Sequence, residues 1–412
     1  MLIYFYSMWM IRMSAYQAFD NEMAIEYINN LGGIFPPDAQ LSCYEFGDGN
    51  LNLVFRVTDQ HNHSVILKQA LPYARCVGES WPLTLDRARI EANALLRHGK
   101  VCPTHTVQVI HHDSVQAVTI LEDLGHLRIL RGELNAGRTF ANLGRDVARY
   151  LATTSFYHSD FYLSAVEKKS LVQTFTNPEL CAITEELFFD DPYQDSERNH
   201  YPDALSPEVS KLHRNKALKL AIAQLKTRFL SSPQALLHGD AHSGSLFVDD
   251  TTTKLIDPEF AFFGPIGFDL GSFIGNLLLN FCAQHGRINE PSKRRDIHTY
   301  LLRTIDICLS EFEQQWLSLC AQQGKDSTLL VPGYAEHFLN DVFQDAIGYC
   351  GCEMIRRTIG LAHVSDLDEI QDVKARLRAQ RLALEVGEQL ILHARSCHNK
   401  DACYQLIISV LQ

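Results

Sequence analysis

The sequence has no stretch of about eighteen uninterrupted apolar residues, the length a helix needs to cross a bilayer. Its best candidate, Phe273 to Phe281, is broken by Gly275 and Asn276. No transmembrane segment is expected. It also lacks a GxxxxGK[ST] string, which excludes a P-loop nucleotide site, and it lacks CxxC. Its eleven cysteines are an odd number scattered from Cys43 to Cys403, with only Cys350 and Cys352 close together. That is no disulfide framework, and it points to a reducing, cytoplasmic setting. Basic charge is in deficit as well: 37 Lys and Arg face 49 Asp and Glu, for a net charge of −12. This excludes a whole-protein electrostatic grip on nucleic acid or an anionic membrane, so any phosphate chemistry has to be arranged locally. Internal repeats and low-complexity linkers are missing too. The apolar opening MLIYFYSMWMI has neither a basic segment before it nor a small-residue cleavage site after it. Residues 1–13 are expected to be an overlong start, with Met13 as the natural initiator.

What is present is a globular composition, 46% apolar and 21% charged, over 412 residues. That length exceeds what one core usually organises and calls for two lobes. From Tyr44 the pattern is one of short alternating runs: Cys43 to Phe46, Leu53 to Thr58 and Ser64 to Ala70. They predict a small antiparallel sheet with a glycine-containing turn, Gly47 to Asn52, between its first two strands. A helix is expected over Asp86 to Arg97, with Asp86 as N-cap and Gly99 as the stop. An apolar run, Ala117 to Leu121, then leads into Glu122-Asp123-Leu124. Beyond about residue 135 the reading is helical, including Phe140 to Tyr157 and Asn215 to Leu230, with an acidic loop from Asp190 to Pro207. One short polar hairpin interrupts the helices: strands at Ala235 to Leu237 and Lys254 to Ile256 bracket His238-Gly239-Asp240 and lead into Asp257-Pro258-Glu259. The predicted class is α+β, residues 14–124 forming a sheet-rich lobe and 125–412 a helical one.

Glu91 shares a helix face with Ala88, Ala92 and Leu95, so its carboxylate points into apolar surroundings and needs a cation. Lys68, on a strand, is the nearest candidate. Taken alone, each also reads as an ordinary surface charge. Asp240, Asp257 and Glu259 place three carboxylates at the ends of two short strands, a costly cluster without cations. Asp257 and Glu259 suit Mg²⁺, which prefers one or two carboxylates plus substrate phosphates. Asp240 is then free to orient and deprotonate a hydroxyl; singly, it also reads as a loop cap, and Asp257 as a turn residue. His238 and His242 have HxxxH spacing, but Gly239 and Asp240 argue against a helix across them and against zinc. Loop histidines bonded to nearby backbone are the simpler reading, and His111-His112 reads as a polar loop.

The order of glycine-rich turn, strand Lys68, helix Glu91, Glu122-Asp123-Leu124, HGDAHSGS (His238 to Ser245) and Asp257-Pro258-Glu259 resembles the aminoglycoside-phosphotransferase-like branch of the protein-kinase fold. The resemblance runs from about Ser14 to His393. It implies a bilobal kinase-like fold, ATP as co-substrate and Mg²⁺. It implies that Asn52 and Lys68 contact ATP phosphates, that the backbone of Glu122, Asp123 and Leu124 receives adenine, and that Asp257, Pro258 and Glu259 bind nucleotide through the metal. Asp240 falls at the acceptor hydroxyl and Arg356 in the substrate pocket, with Arg357 and Arg376 as weaker companions; without the resemblance, Arg356 reads as a helix salt bridge. The narrower strings Val77 to Glu91, Asp257 to Asp269 and Gly351 to Val364 imply S-methyl-5-thioribose as acceptor, phosphorylated at its 1-hydroxyl, and a homodimer. Trp81 lies on a segment read either as a closing loop or as a packed connector.

Ser245 stands where wider kinases carry a second metal-binding Asn, and Glu259 where they carry the Gly of DFG. Metal holding is therefore expected to shift onto the carboxylates. Asp269 is expected to support the HGD turn by accepting backbone N–H groups. Choline, homoserine or aminoglycoside phosphorylation is the same-class alternative, and a catalytically dead nucleotide-binding module the different-class one. Retention of Lys68, Asp240 and Asp257 disfavours the second, and Arg356-Arg357 disfavours a cationic acceptor.

Overall fold

A computed structural model describes residues 16–46, 51–74 and 78–411. Residues 1–13 and most of the glycine-rich turn, residues 47–50, lie outside that range. The chain divides into two compact units, Met1–His126 and Leu127–Gln412. Among the described residues no helix is long and apolar enough to cross a membrane.

The first unit opens with α1 (Asn21–Leu31), N-capped by Asp20, whose side chain accepts the Met23 N–H. Strands β1 (Ser42–Phe46), β2 (Asn52–Thr58) and β3 (Ser64–Ala70) follow, then the short pair β4 (Tyr73–Ala74) and β5 (Gly78–Pro82), α2 (Asp86–Val101), β6 (Val109–Asp113) and β7 (Val118–Glu122). Five of these strands form one antiparallel sheet in the order β1-β2-β3-β7-β6. Strand alternation gives β3 two different faces. Val65 and Leu67 pack with Phe55, Val57, Val118 and Ile120 against Ala24 and Ile28 of α1. Ala70, on the other face, packs with Ala88 of α2, and Lys68 shares that face.

Helix α2 runs past its expected end. Gly99 lies inside it, and the chain leaves at Cys102 because Pro103 disfavours helical backbone before it. Asp86 is its first residue rather than its cap; the Asp86 N–H is taken by Thr84 Oγ1 at 3.1 Å and its carboxylate pairs with Arg89 at 2.7 Å. His111 and His112 lie in β6 rather than a loop, where His112 Nδ1 meets Thr119 Oγ1 at 3.0 Å. Trp81 lies in β5 and is partly exposed, so Gly78–Pro82 is a paired connector and Trp81 is not a core residue.

The second unit is mostly helical: β8 (Arg128–Ile129), α3 (Leu130–Asn135), α4 (Leu143–Tyr157), α5 (Ala165–Thr174), α6 (Pro178–Thr184), α7 (Ser206–Arg214), α8 (Lys216–Ser231), β9 (Ala235–Leu236), β10 (Leu246–Val248), β11 (Thr253–Leu255), β12 (Phe263–Gly264), α9 (Gly267–Arg287), α10 (Pro291–Gln323), α11 (Tyr334–Ile359), α12 (Ser365–Asp368), α13 (Val373–His393) and α14 (Lys400–Val410). The expected hairpin is differently paired: β9 pairs with β12, while β11 pairs with β10. The acidic stretch after Asp190 is not simply a loop; it contains short 3₁₀ turns before α7 begins at Ser206. Asn215 caps α8 by accepting the Leu218 N–H. Helices α9 and α11 approach backbone to backbone, since a Cβ on Gly271 would lie 2.4 Å from the Ala346 carbonyl oxygen. That closeness puts the polar side chains of α9 within reach of those on α11.

Candidate active site

In the first unit, Lys68 Nζ donates to Glu91 Oε1 at 2.8 Å, with both residues buried. The apolar helix face around Glu91 therefore does meet a strand lysine, as its pattern required. Asn52, at the start of β2, is buried and its side-chain oxygen accepts from Arg87 Nη2 at 2.9 Å. Arg87 is wholly buried and also donates to the backbone oxygens of Leu51, Leu71 and Thr84. It was not singled out in the sequence because three of these four partners are main-chain groups, which leave no side-chain signature. At the end of β7 the acidic side chains are engaged in structure. Glu122 accepts the Gln108 N–H at 2.8 Å, and Asp123 pairs with Arg56 at 2.7 Å and accepts from Ser64 Oγ at 2.6 Å. Burial alone would raise the Asp123 carboxyl, but Ser64 and Arg56 hold it below the usual carboxylate range. Leu124 is buried.

In the second unit, the turn at His238–Asp240 is fixed from three sides. Asp269, in the first turn of α9, accepts the His238 and Gly239 N–H groups at 2.7 and 2.9 Å, the support expected of it. Gly239 has φ +84°, and a Cβ there would lie 2.2 Å from the Phe260 carbonyl oxygen, so only glycine fits. His238 Nε2 meets the Ile256 carbonyl oxygen at 2.8 Å, and the Ile256 N–H donates to Ser245 O at 3.0 Å. These bonds tie the turn to the residue immediately before Asp257. Asp257 has φ +70°, a left-handed backbone in a residue with a side chain. Asp257 is half-buried, and Pro258 and Glu259 are buried. Among the described residues no group of three or more His, Cys, Asp and Glu side chains is disposed to hold a metal. Carboxylate oxygens are the ligand type Mg²⁺ prefers, so the residue types at 257 and 259 fit that ion.

Asp240 is ringed by donors. His242 Nε2 lies 3.3 Å from Oδ2, while Arg357 Nη2 and Arg356 Nη2 lie 3.6 and 3.7 Å from Oδ1. Burial works to raise this carboxyl, but His242 and the two guanidiniums prevail and hold it well below the usual carboxylate range. The arginines are themselves anchored by Glu353, which has no solvent exposure: Arg357 Nε donates to Oε1 at 2.9 Å and Arg356 Nε to Oε2 at 2.5 Å. Arg356 also lies over the Phe188 ring, 5.1 Å from its centroid. Asn276 of α9 donates to Glu353 Oε1 at 2.9 Å and accepts from Arg131 Nη2 at 2.8 Å. Arg131 continues to Ser243 Oγ at 3.0 Å and Asp366 Oδ2 at 3.3 Å. Arg376 is apart from this network, its Nη1 donating to the Asp368 carbonyl oxygen at 3.1 Å. Glu353, Asn276 and Arg131 went unread in the sequence because they meet only through contacts between distant segments; Glu353 lies on a helix buried nearly all round, where no polar face marks it.

A carboxylate beside two guanidiniums, with Asp257 and Glu259 following β11, is an arrangement compatible with phosphoryl transfer. Residues 42–294 match the model of the phosphotransferase enzyme family. The chain is 55% identical over 390 residues to the methylthioribose kinase of Yersinia enterocolitica, covering 94% of this chain and 98% of that one. It is 51% identical over 393 residues to the methylthioribose kinase of Pectobacterium carotovorum, covering 95% and 98%. A solved glucosamine kinase in complex with glucosamine, ADP and inorganic phosphate aligns over 84% of this chain and 81% of that one, at 14% identity and a TM-score of 0.44. The chain belongs to the phosphotransferase enzyme family and, within it, to the methylthioribose kinases.

Proposed function

We propose that the protein transfers the γ-phosphoryl group of ATP to the 1-hydroxyl of S-methyl-5-thioribose, giving the 1-phosphate and ADP. It does so in the cytoplasm, as a homodimer, in methionine salvage. The observation that carries this reading is the Asp240 carboxylate held ionised beside two arginines that share one buried glutamate, in a chain more than half identical to a methylthioribose kinase. Asp240 accepts the proton of the 1-hydroxyl as that oxygen bonds to the γ-phosphorus and the bond to the bridging β–γ oxygen breaks. A loose phosphoryl transition state asks mainly for positioning and charge neutralisation, and an anomeric hydroxyl is more acidic than an ordinary alcohol, so a weak base suffices.

Arg356, with Arg357 beside it, offsets charge near the transferred group. In the first unit, Lys68, steadied by Glu91, and Asn52, held by Arg87, serve the ATP phosphates. The side chains of Glu122 and Asp123 are engaged elsewhere, which supports a backbone role for residues 122–124 toward adenine. Asp257 and Glu259 would hold Mg²⁺, which supplies neutralisation of phosphate charge. The anchored arginines favour this acceptor over choline or an aminoglycoside, whose cations they would repel.

The test is ADP release with methylthioribose, choline and an aminoglycoside as acceptors. Methylthioribose should be turned over fastest, and Asp240→Asn should lower that turnover by roughly 10²- to 10⁴-fold with ATP affinity retained. Asp257→Ala should abolish Mg²⁺-dependent nucleotide binding in calorimetry. Faster turnover of choline or an aminoglycoside would overturn the substrate assignment.

A further inference from the structure

His242 lies two residues beyond Asp240, at the head of the 3₁₀ turn Ser243–Ser245. Its ring is held at both nitrogens. The Gly244 N–H donates to Nδ1 at 2.9 Å, and Arg131 Nη2 lies 3.5 Å from the same atom. The Gly244 N–H claims the one lone pair of Nδ1, neither it nor a guanidinium can accept, and Ser245 Oγ, 3.4 Å from Nδ1, is left to donate or turn elsewhere, so the ring proton sits on Nε2. Nε2 is the atom 3.3 Å from Asp240 Oδ2. Glycine at 244 belongs to the same arrangement, because a Cβ there would lie 2.7 Å from His242 Cε1 and push the ring away. Burial favours the neutral ring, and the nearby Arg131 and Arg357 charges add to that against the pull of Asp240. With one nitrogen accepting and the other protonated, the imidazole has no lone pair to offer a substrate, which excludes it as the base.

We propose that His242 is a positioning residue for phosphoryl transfer: its Nε2–H donates to Asp240 Oδ2 and leaves Oδ1, on the side of Arg356 and Arg357, as the oxygen that receives the acceptor's proton. This rests on the reading of Asp240 as the base. It gives the histidine of HGDAHSGS a task distinct from that of His238, whose Nε2 is spent on the Ile256 carbonyl oxygen.

The two ring nitrogens can be tested separately, since an Asn amide occupies the place of Nδ1 and a Gln amide that of Nε2. His242→Asn keeps an acceptor for the Gly244 N–H but cannot reach Asp240. His242→Gln keeps a donor toward Asp240 but abandons the turn. His242→Asn is expected to melt within a few degrees of the wild type, to keep its KM for ATP, and to lose about 10- to 100-fold in kcat, the worth of a hydrogen bond to a charged group. His242→Gln is expected to melt lower yet recover most of kcat. Wild-type kcat in His242→Asn, or a folded His242→Gln as slow as His242→Asn, overturns the proposal. Asp240→Asn assayed in parallel separates the two readings. Wild-type turnover in Asp240→Asn removes the base itself, whereas an inactive Asp240→Asn beside a fully active His242→Asn removes only the role of His242.

Discussion

Glu353, with no solvent exposure, accepts a hydrogen bond from Arg357 Nε at 2.9 Å, and this buried pair sets the position of a guanidinium that faces the Asp240 carboxylate. Burial by itself would raise the Glu353 carboxyl, but Arg356 and Arg357 push it down to about 2. A carboxyl depressed in the folded state contributes stability that is complete above its unfolded value, near 4.5, and is lost as pH falls through 2. Glu353→Gln should cost about 3 kcal/mol or more at neutral pH, because it leaves two buried guanidiniums short of their counter-charge. Urea denaturation at a series of pH values checks this. The gap between wild type and variant should be widest at pH 7 and shrink between pH 4.5 and 2; a gap independent of pH would show that the pair is held by shape rather than charge.

The turn carrying Asp240 should be equally sensitive at its support. Asp269→Asn leaves one acceptor oxygen for two N–H donors and turns an amide NH₂ toward one of them, at a cost of about 1 to 3 kcal/mol. Gly239→Ala combines a positive φ with a collision against the Phe260 carbonyl oxygen and should destabilise more. Thermal melts rank the two, and kinetics on the Asp269→Asn protein should show kcat falling more than either KM.

How far these features were legible follows from the range of each signal. Glu91 could be paired with Lys68 because an acidic residue on an apolar helix face announces a missing cation, and Asp269 could be placed because it closes the recognisable string Asp257 to Asp269. The end of α2 was misread because Gly99 is a local stop signal, whereas the helix gains more from continuing to Val101 before Pro103. The strand pairing of the polar hairpin was misread because β9 and β11 are only two and three residues long, and nothing local says that each takes a different neighbour. The network through Arg131, Asn276 and Glu353 was invisible for a third reason. It depends on α9 and α11 meeting at Gly271, a closeness that follows from the packing of two long buried helices and from no single motif.

The Lys68–Glu91 pair makes a prediction confined to nucleotide. Lys68→Met should raise the KM for ATP, while Glu91→Gln, which keeps a hydrogen-bond acceptor but removes the charge, should raise it less and leave the KM for the acceptor sugar near the wild-type value. Initial-rate kinetics with both substrates varied decide this. Unchanged KM for ATP in both variants, with only a lowered melting temperature, would make the pair a purely structural one.

In the proposed function Arg356 bears the choice of acceptor, because the roles proposed for Asp240, Asp257 and Glu259 are common to phosphotransferases and do not choose one. Its guanidinium makes three contacts in different directions: Nε to Glu353, Nη2 toward Asp240 at 3.7 Å, and its face on the Phe188 ring. Lysine carries the charge on one flexible ammonium and cannot serve all three, so Arg356→Lys should fail to restore function. Both Arg356→Lys and Arg356→Ala are expected to lose about 10- to 100-fold in kcat/KM for methylthioribose, corresponding to the roughly 1.5 to 3 kcal/mol of a charge-assisted hydrogen bond, with ATP affinity close to wild type. Arg357→Lys should differ in kind. Arg357 is bound to Glu353 and to the Ala362 carbonyl oxygen and is the more buried of the two, so its loss should appear first as a lowered melting temperature. Steady-state kinetics beside thermal melts separate the two arginines, and full activity of Arg356→Lys would show that the site needs only a positive charge at that position and no fork.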